Sequence, residues 1–353
     1  MERAVNAARG TLLGLACGDA LGRPVEFSTS AGIEREHGTL TKMAGDGTHG
    51  QPAGTITDDT ELALRIGRSL ADRSEFDGGD IARRFVEWYR SGPFDIGLMT
   101  ADALRAIDDG MSWREAGQVV WESRSEGSNA GNGSLMRCAP YAIRYARSPI
   151  ELDAVSHSSS AITHADPRCT HACSVLNRIL ATLMLVDEET ARKLPFDPLI
   201  GVVENPLFGL PDDIEAALRP GLDGLSPDDL DNSGYVVSTL QAGLYYGLTA
   251  NSAEEAIVTA VNAGGDTDTI GAVAGAVAGA RFGMSTLPER WLTELDKVNE
   301  LDRVAQNLYG QREASTTWND DTDDPSTEPI GAIDLFVTTT RTADSGPYRT
   351  SAV

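Results

Sequence analysis

The chain has 353 residues, with 53 Asp and Glu against 29 Lys and Arg and a formal net charge of -24, for a sequence pI near 4.5. Such a charge disfavours unspecific binding to nucleic acid or to an anionic membrane, and the length allows one large domain or two ordinary ones. Lys42, Lys193 and Lys297 are the sole lysines; an acidic, lysine-poor surface suits a salt-rich cytoplasm, and a GC-rich genome favours the same bias.

In chain order, apolar residues at Val5, Leu12, Leu13, Leu15, Ala16 and Leu21 predict a first helix that stops at Gly22-Arg23-Pro24. Leu13 to Cys17 resembles a lipoprotein cleavage site, but Asn6 and Arg9 interrupt the apolar run before it. A long glycine-rich loop is expected from Ser28 to Ala53. Thr57-Asp58-Asp59 reads as a helix start, with a threonine cap and first-turn acids leading into Leu62, Leu64, Ile66 and Leu70. Further helices are predicted over 80–90, 98–108, 134–145, 150–163, 167–186 and 235–248. Alternating strand patterns are scarce, which points to an all-α fold.

Residues 187–233 are richer in Pro, Asp and Gly and read as a connector with short helices. From Thr269 to Gly283, glycines at 271, 275, 279 and 283 put small residues on one helical face; the run is too short to span a membrane and Arg281 closes it. An all-α domain is expected over 1–310. An acidic, Thr-, Pro- and Ser-rich flexible tail is expected over 311–353, in which 333–337 could dock as a short strand. Four scattered cysteines (Cys17, Cys138, Cys169, Cys173) lack a disulfide-framework spacing. A soluble, cytoplasmic monomer is the expectation.

The chemistry concentrates in two acidic clusters, Thr57-Asp58-Asp59-Thr60 and Gly264-Gly265-Asp266-Thr267-Asp268-Thr269. Carboxylates and threonine hydroxyls are hard ligands suited to Mg²⁺ or Mn²⁺. One capping role explains a single acid of the second cluster, and several carboxylates together repel unless cations neutralise them. A zinc set of His164, Cys169, His171 and Cys173 is the weaker alternative, because its spacing fits no familiar zinc module.

These clusters, with the segments 14–22, 24–27, 92–97, 132–140 and Thr163-His164 in the same order, resemble the ADP-ribosylglycohydrolases, including the bacterial dinitrogenase reductase-activating type. The resemblance spans roughly 3–310 and departs mildly at Ile56, where relatives often carry an aromatic residue. It implies a compact multi-helix orthogonal bundle with a di-metal centre. Thr57, Asp58, Asp59, Asp266, Asp268 and Thr269 would hold two divalent cations, Mg²⁺ or Mn²⁺. It further implies metal-dependent hydrolysis of the bond linking ADP-ribose to an acceptor, with Glu26, Asp95 and Asp268 as catalytic carboxylates. Gly131, Asn132, Gly133 and Ser134 would form a diphosphate-binding turn that opens a helix, with His164 near the phosphates and Tyr235 stacked on adenine. The Asp95 segment favours an arginine acceptor, so the expected partner is an ADP-ribosylated protein or a small ADP-ribose conjugate; modified nucleic acid is a further possible substrate. The alternatives are a non-catalytic ADP-ribose-binding relative and a two-metal phosphohydrolase cleaving the diphosphate.

Overall fold

Glycine recurs at every fourth position twice in this chain, at 10, 14, 18 and 22 and at 271, 275 and 279, and the two series meet. The computed structural model describes residues 2–193, 209–219, 221 and 224–314. Helix α1 (Glu2–Gly22) leads into a short loop and α2 (Ser30–His37), followed by α3 (Asp58–Arg73), α4 (Gly78–Arg90), α5 (Leu98–Asp108) and α6 (Trp113–Ser123). Next come α7 (Ala139–Arg144), α8 (Pro149–Ser160), α9 (Pro167–Leu185), α10 (Glu188–Lys193) and α11 (Asp212–Leu218). The last are α12 (Val236–Thr249), α13 (Ala253–Asn262), α14 (Thr267–Phe282), α15 (Glu289–Glu294) and α16 (Val298–Ala314). No strand forms among the described residues beyond isolated bridges such as Gly131 with Tyr235, so the all-α expectation holds.

All of α14 is buried, and it packs antiparallel on α1 through the glycine series. A Cβ on Gly14 would lie 2.2 Å from Gly275 O, one on Gly18 1.9 Å from Gly271 O, and one on Gly10 2.3 Å from Gly279 O. Helix separation is set by the side chains at the contact, so only glycine allows this approach. On its other side α14 meets Gly243 and Gly247 of α12 through Val273 and Val277. The close packing has a functional consequence: the C-terminal end of α1 and the N-terminal end of α14 are held at the same end of the bundle. At the opposite end, buried Arg281 donates to the carbonyls of Leu248 and Ala250, satisfying acceptors that the end of α12 leaves open.

Three expectations are corrected. The loop over 28–53 contains α2, capped by Thr29 Oγ1 accepting from Gly32 N at 3.1 Å; only Ile33 of this helix is buried, so it carries little apolar signal. The helix predicted over 134–145 begins at Ala139. Pro140 has no N–H and its ring clashes with the carbonyl four residues earlier, so a helix cannot run through 136, and 132–137 form turns instead. The helix predicted over 150–163 ends at Ser160. Ile56 is buried in the main core. Of the tail predicted over 311–353, residues 311–314 belong to α16; the rest, with its 333–337 segment, and part of the 187–233 connector lie outside the described residues.

Candidate metal centre and substrate cleft

Two helix N-termini converge on one cleft. Thr57 caps α3, its Oγ1 accepting from Asp59 N, and Asp266 precedes the first turn of α14, which carries Asp268 and Thr269. Anions are favoured at such positions, but here they face one another. Asp59 Oδ2 accepts from Thr57 Oγ1 at 3.2 Å and from Thr269 Oγ1 at 3.4 Å. Its other oxygen, Oδ1, is buried and has no partner.

Asp19, on the last turns of α1, holds the first cluster from behind. It accepts from Thr57 N at 3.1 Å, Thr60 N at 3.2 Å and Thr60 Oγ1 at 2.5 Å. Asp266 Oδ2 accepts from Asn132 Nδ2 at 2.8 Å, and Asn132 Nδ2 also reaches Thr239 Oγ1 at 3.0 Å. Oxygens of Glu26, Asp266 and Asp268 lie within 4.8 Å of one another, as do ligand atoms of Glu26, His49 and Asp95.

The electrostatics follow from this crowding. Burial pushes Glu26 up to about 9, with Asp95, Asp266 and Asp58 adding to it. Burial likewise raises Asp58 to about 8, with Asp95 adding and the Gly97 N–H opposing. Asp59 and Asp268 are raised well above the ordinary carboxylate value by burial and then by neighbouring carboxylates. An orphaned buried oxygen among hard oxygen donors, with carboxylates raised by burial and then by one another, is a donor set that fits divalent cations.

The cleft encloses about 650 Å³ and is lined by Glu26, Asp58, Asp59, Asp95, Asp266, Asp268 and Thr269 at one end and by Gly131, Asn132, Gly133, His164 and Tyr235 elsewhere. The turn at 131–133 is stitched to the start of α12, Asn132 N donating to Gly234 O at 3.1 Å and Val236 N to Ala130 O at 3.0 Å. Ser134 is buried with its hydroxyl accepting from Ser160 Oγ at 2.8 Å, and it does not line the cleft. Since no helix starts at 134, the turn presents its backbone to the cleft without a helix N-terminus behind it.

His164 is held neutral: burial, then Arg137 and Arg124, lower its pKa to about 3. Arg137 donates to Thr163 Oγ1 at 2.7 Å, so the Thr163 hydroxyl is free to donate to His164 Nδ1, also at 2.7 Å. That assignment leaves the ring proton on Nε2, beside Gly131 and Gly133. Tyr235 donates to Asp213 Oδ2 at 2.9 Å and has the Arg168 guanidinium over its ring.

All of the predicted site residues except Thr57 and Ser134 line this cleft, and Thr57 is tied to Asp59. Sequence reasoning missed four others. Asp19 was signalled by a lone acid within an apolar helix, and Arg23 by its place before Pro24. His49 lies in a polar loop with no pattern, and Thr100, whose buried Oγ1 lacks a partner at the cleft wall, carried none either. The His/Cys set fails as a zinc site: among the described residues it forms no ligating group, Cys169 Sγ contacts Gly131 O at 3.3 Å and His171 Nδ1 contacts Pro167 O at 2.7 Å.

The ADP-ribosylglycohydrolase family model matches residues 1–317. The ADP-ribosyl dinitrogen reductase glycohydrolase of Rhodospirillum rubrum is 34% identical over 301 residues, covering 82% of this chain and 90% of that one. The ADP-ribosylarginine hydrolase Tri1 of Pseudomonas putida (strain GB-1) is 33% identical over 318 residues, covering 87% and 79%. A solved structure titled ADP-ribosylglycohydrolase-related protein complex superposes with a TM-score of 0.73 at 32% identity, covering 88% of this chain and 100% of that one.

Proposed function

The chain belongs to the ADP-ribosylglycohydrolase family, and on that premise we propose that it frees ADP-ribose from arginine side chains with the help of two divalent cations, Mg²⁺ or Mn²⁺. It is a glycosidase of the ADP-ribosyl bond. The observation that carries the proposal is the crowding of buried carboxylates around an unpartnered Asp59 Oδ1.

Thr57, Asp58, Asp59, Asp266, Asp268 and Thr269 hold the cations. When bound, these supply Lewis acidity toward the ribose hydroxyls and offset the repulsion among the carboxylates. Every other task falls to the chain itself. The turn of Gly131, Asn132 and Gly133 offers backbone polar groups to the diphosphate, Ser134 props that turn from beneath, and neutral His164 donates Nε2–H beside it. Tyr235 takes the adenine end.

Glu26 and Asp95 line the other end, where the glycosidic bond breaks. Water adds to the anomeric carbon as its bond to nitrogen breaks; the transition state has oxocarbenium character, which flanking carboxylates stabilise, the attacking water gives up a proton and the departing nitrogen takes one. Glu26, buried beside Asp95 at that end, is placed to give the nitrogen that proton. Asp268 adds negative charge beside the ribose.

Arginine is supported by hydrogen-bond chemistry as well as by the names of the relatives. An arginine acceptor brings a guanidinium, a pure hydrogen-bond donor, and the carboxyl oxygens of Glu26, Asp58 and Asp95 at that end are acceptors for it. The substrate is then an ADP-ribosylated protein or a conjugate derived from one. A cytoplasmic monomer adapted to a salt-rich interior fits the net charge and the finding that no described helix is long and apolar enough to cross a membrane. The test is a comparison of arginine-linked and serine-linked ADP-ribosyl peptides at equal concentration with Mn²⁺. Faster release from arginine is expected, and faster release from serine overturns the acceptor assignment.

A further inference from the structure

His49 faces the two carboxylates at the acceptor end from outside the cleft. Its Nε2 lies 2.5 Å from Glu26 Oε2 and 3.6 Å from Asp95 Oδ2. Its ring leans on Phe94, the residue before Asp95, with centroids 5.5 Å apart and a tilt of 57°. One imidazole nitrogen therefore spans the two groups, and the same aromatic neighbour fixes the ring and adjoins one of them.

The backbone that presents His49 is held far more firmly than a surface loop requires. Asp46 N donates to Gln51 O at 2.7 Å, Thr48 Oγ1 to Glu26 O at 2.9 Å and Gln51 Nε2 to His49 O at 3.2 Å. The buried Arg23 guanidinium donates to the carbonyls of Ala44, Asp46, Gln51, Pro52 and Thr55 at 3.0–3.3 Å. Asp46 sits at φ 59°, a left-handed conformation that a non-glycine residue keeps only when its surroundings impose it. Gly47 sits at φ 66° with its Cα against Pro24, where a Cβ would lie 2.2 Å from Pro24 O.

We propose that His49 is a positioning residue that fixes Glu26 and Asp95 in the arrangement the glycosidic step needs. The proposal rests on the reading that these two carboxylates work the acceptor end. Without a partner at this edge of the cleft both side chains would sample other rotamers; His49 Nε2 holds Glu26 Oε2 by a hydrogen bond and lies against Asp95 Oδ2, so one fixed ring restricts both. Because His49 does not line the cleft, its loss acts on turnover through Glu26 and spares substrate binding.

The test is steady-state kinetics of the full chain on ADP-ribosyl-arginine with saturating Mn²⁺, with Mn²⁺ affinity measured separately by calorimetry. His49→Ala is expected to lower kcat by about 10–100-fold, the usual cost of losing an orienting partner, with KM and Mn²⁺ affinity within about threefold of wild type. His49→Gln, which returns an amide N–H near the Nε2 position, is expected to recover most of that loss. Thr48→Val, which frees the loop from the Glu26 carbonyl while keeping the imidazole, is expected to hold kcat within about threefold.

A wild-type kcat in His49→Ala overturns the proposal, as does His49→Gln no better than His49→Ala, or a Thr48→Val loss equal to that of His49→Ala, which would make the loop merely structural. If the wild-type protein itself releases no ADP-ribose, the acceptor-end reading fails and the proposal falls with it, an outcome separate from an active wild type with an indifferent His49→Ala.

Discussion

Thr269 Oγ1 lies 3.4 Å from Asp59 Oδ2 across 210 residues of chain. That contact makes the two acidic clusters one site. Asp59→Asn removes the anionic oxygen that has no partner and replaces it with an amide that binds a hard cation poorly. The variant is expected to bind Mn²⁺ at least about tenfold more weakly by calorimetry, with turnover falling by about a hundredfold or more. Unchanged Mn²⁺ affinity would separate Asp59 from the metal set.

Cations should also stabilise the fold, because they bind carboxylates that only the folded chain brings together. At a free concentration about a hundred times the dissociation constant, Mn²⁺ is expected to add about 2.7 kcal/mol and raise Tm by roughly 4 °C over chelator-treated protein. Asp268→Asn should blunt the rise in a calorimetric scan. An equal rise in the variant would place the stabilising ion elsewhere.

The glycine contact between α1 and α14 is what aligns the site, and it has no slack. Gly14→Ala puts a Cβ 2.2 Å from Gly275 O, backbone against backbone, and is expected to cost about 1–3 kcal/mol or more. Gly310→Ala in α16, where a Cβ meets nothing within 4 Å, should instead gain about 0.5–1 kcal/mol from helix propensity. Urea denaturation of the pair checks both signs.

His164 and Asp80 each make acid destabilising, a trend that the raised carboxyls of Glu26 and Asp58 oppose above about pH 4 in cation-free protein. His164 has a folded pKa near 3, lowered by burial and then by Arg137 and Arg124; the unfolded value is about 6.5. Its contribution is present above about 6.5 and is lost as pH falls toward 3. Asp80 is held well below the usual carboxylate range: burial opposes this, but hydrogen bonds from Arg83, Ser69, Arg84 and Arg73 outweigh it. Its contribution is present above the unfolded value of about 3.9 and is lost on further acidification. Asp80→Asn should flatten the stability profile below about pH 4 and leave the His164 window untouched; an unchanged slope there would contradict the assignment.

The charge of -24 predicts a salt response. Raising KCl screens self-repulsion among surface carboxylates, so Tm should climb steadily between low and molar salt. A flat response would leave the acidic surface as a solubility feature.

The sequence made the helical class and the two acidic clusters legible because both are local: a 3.6-residue apolar rhythm, and acids adjacent to a threonine cap. The glycine spacing at 271, 275 and 279 announced a close helix partner without naming it, since the matching series in α1 is hidden in a segment read for its leucines. The start of α7 was misread because apolar residues at 135, 136 and 139 mimic a helix through Pro140. His49 and Thr100 were invisible because their roles arise from contacts made by loops and cleft walls distant in sequence.

The most direct test of the account is mass-spectrometric product analysis after incubation with ADP-ribosyl-arginine, comparing Mg²⁺, Mn²⁺ and EDTA, with wild type beside Asp268→Asn. The account predicts free ADP-ribose and unmodified arginine, formed only with a cation and lost in the variant. AMP with a ribose phosphate, or intact substrate from a folded, Mn²⁺-loaded protein, would contradict it.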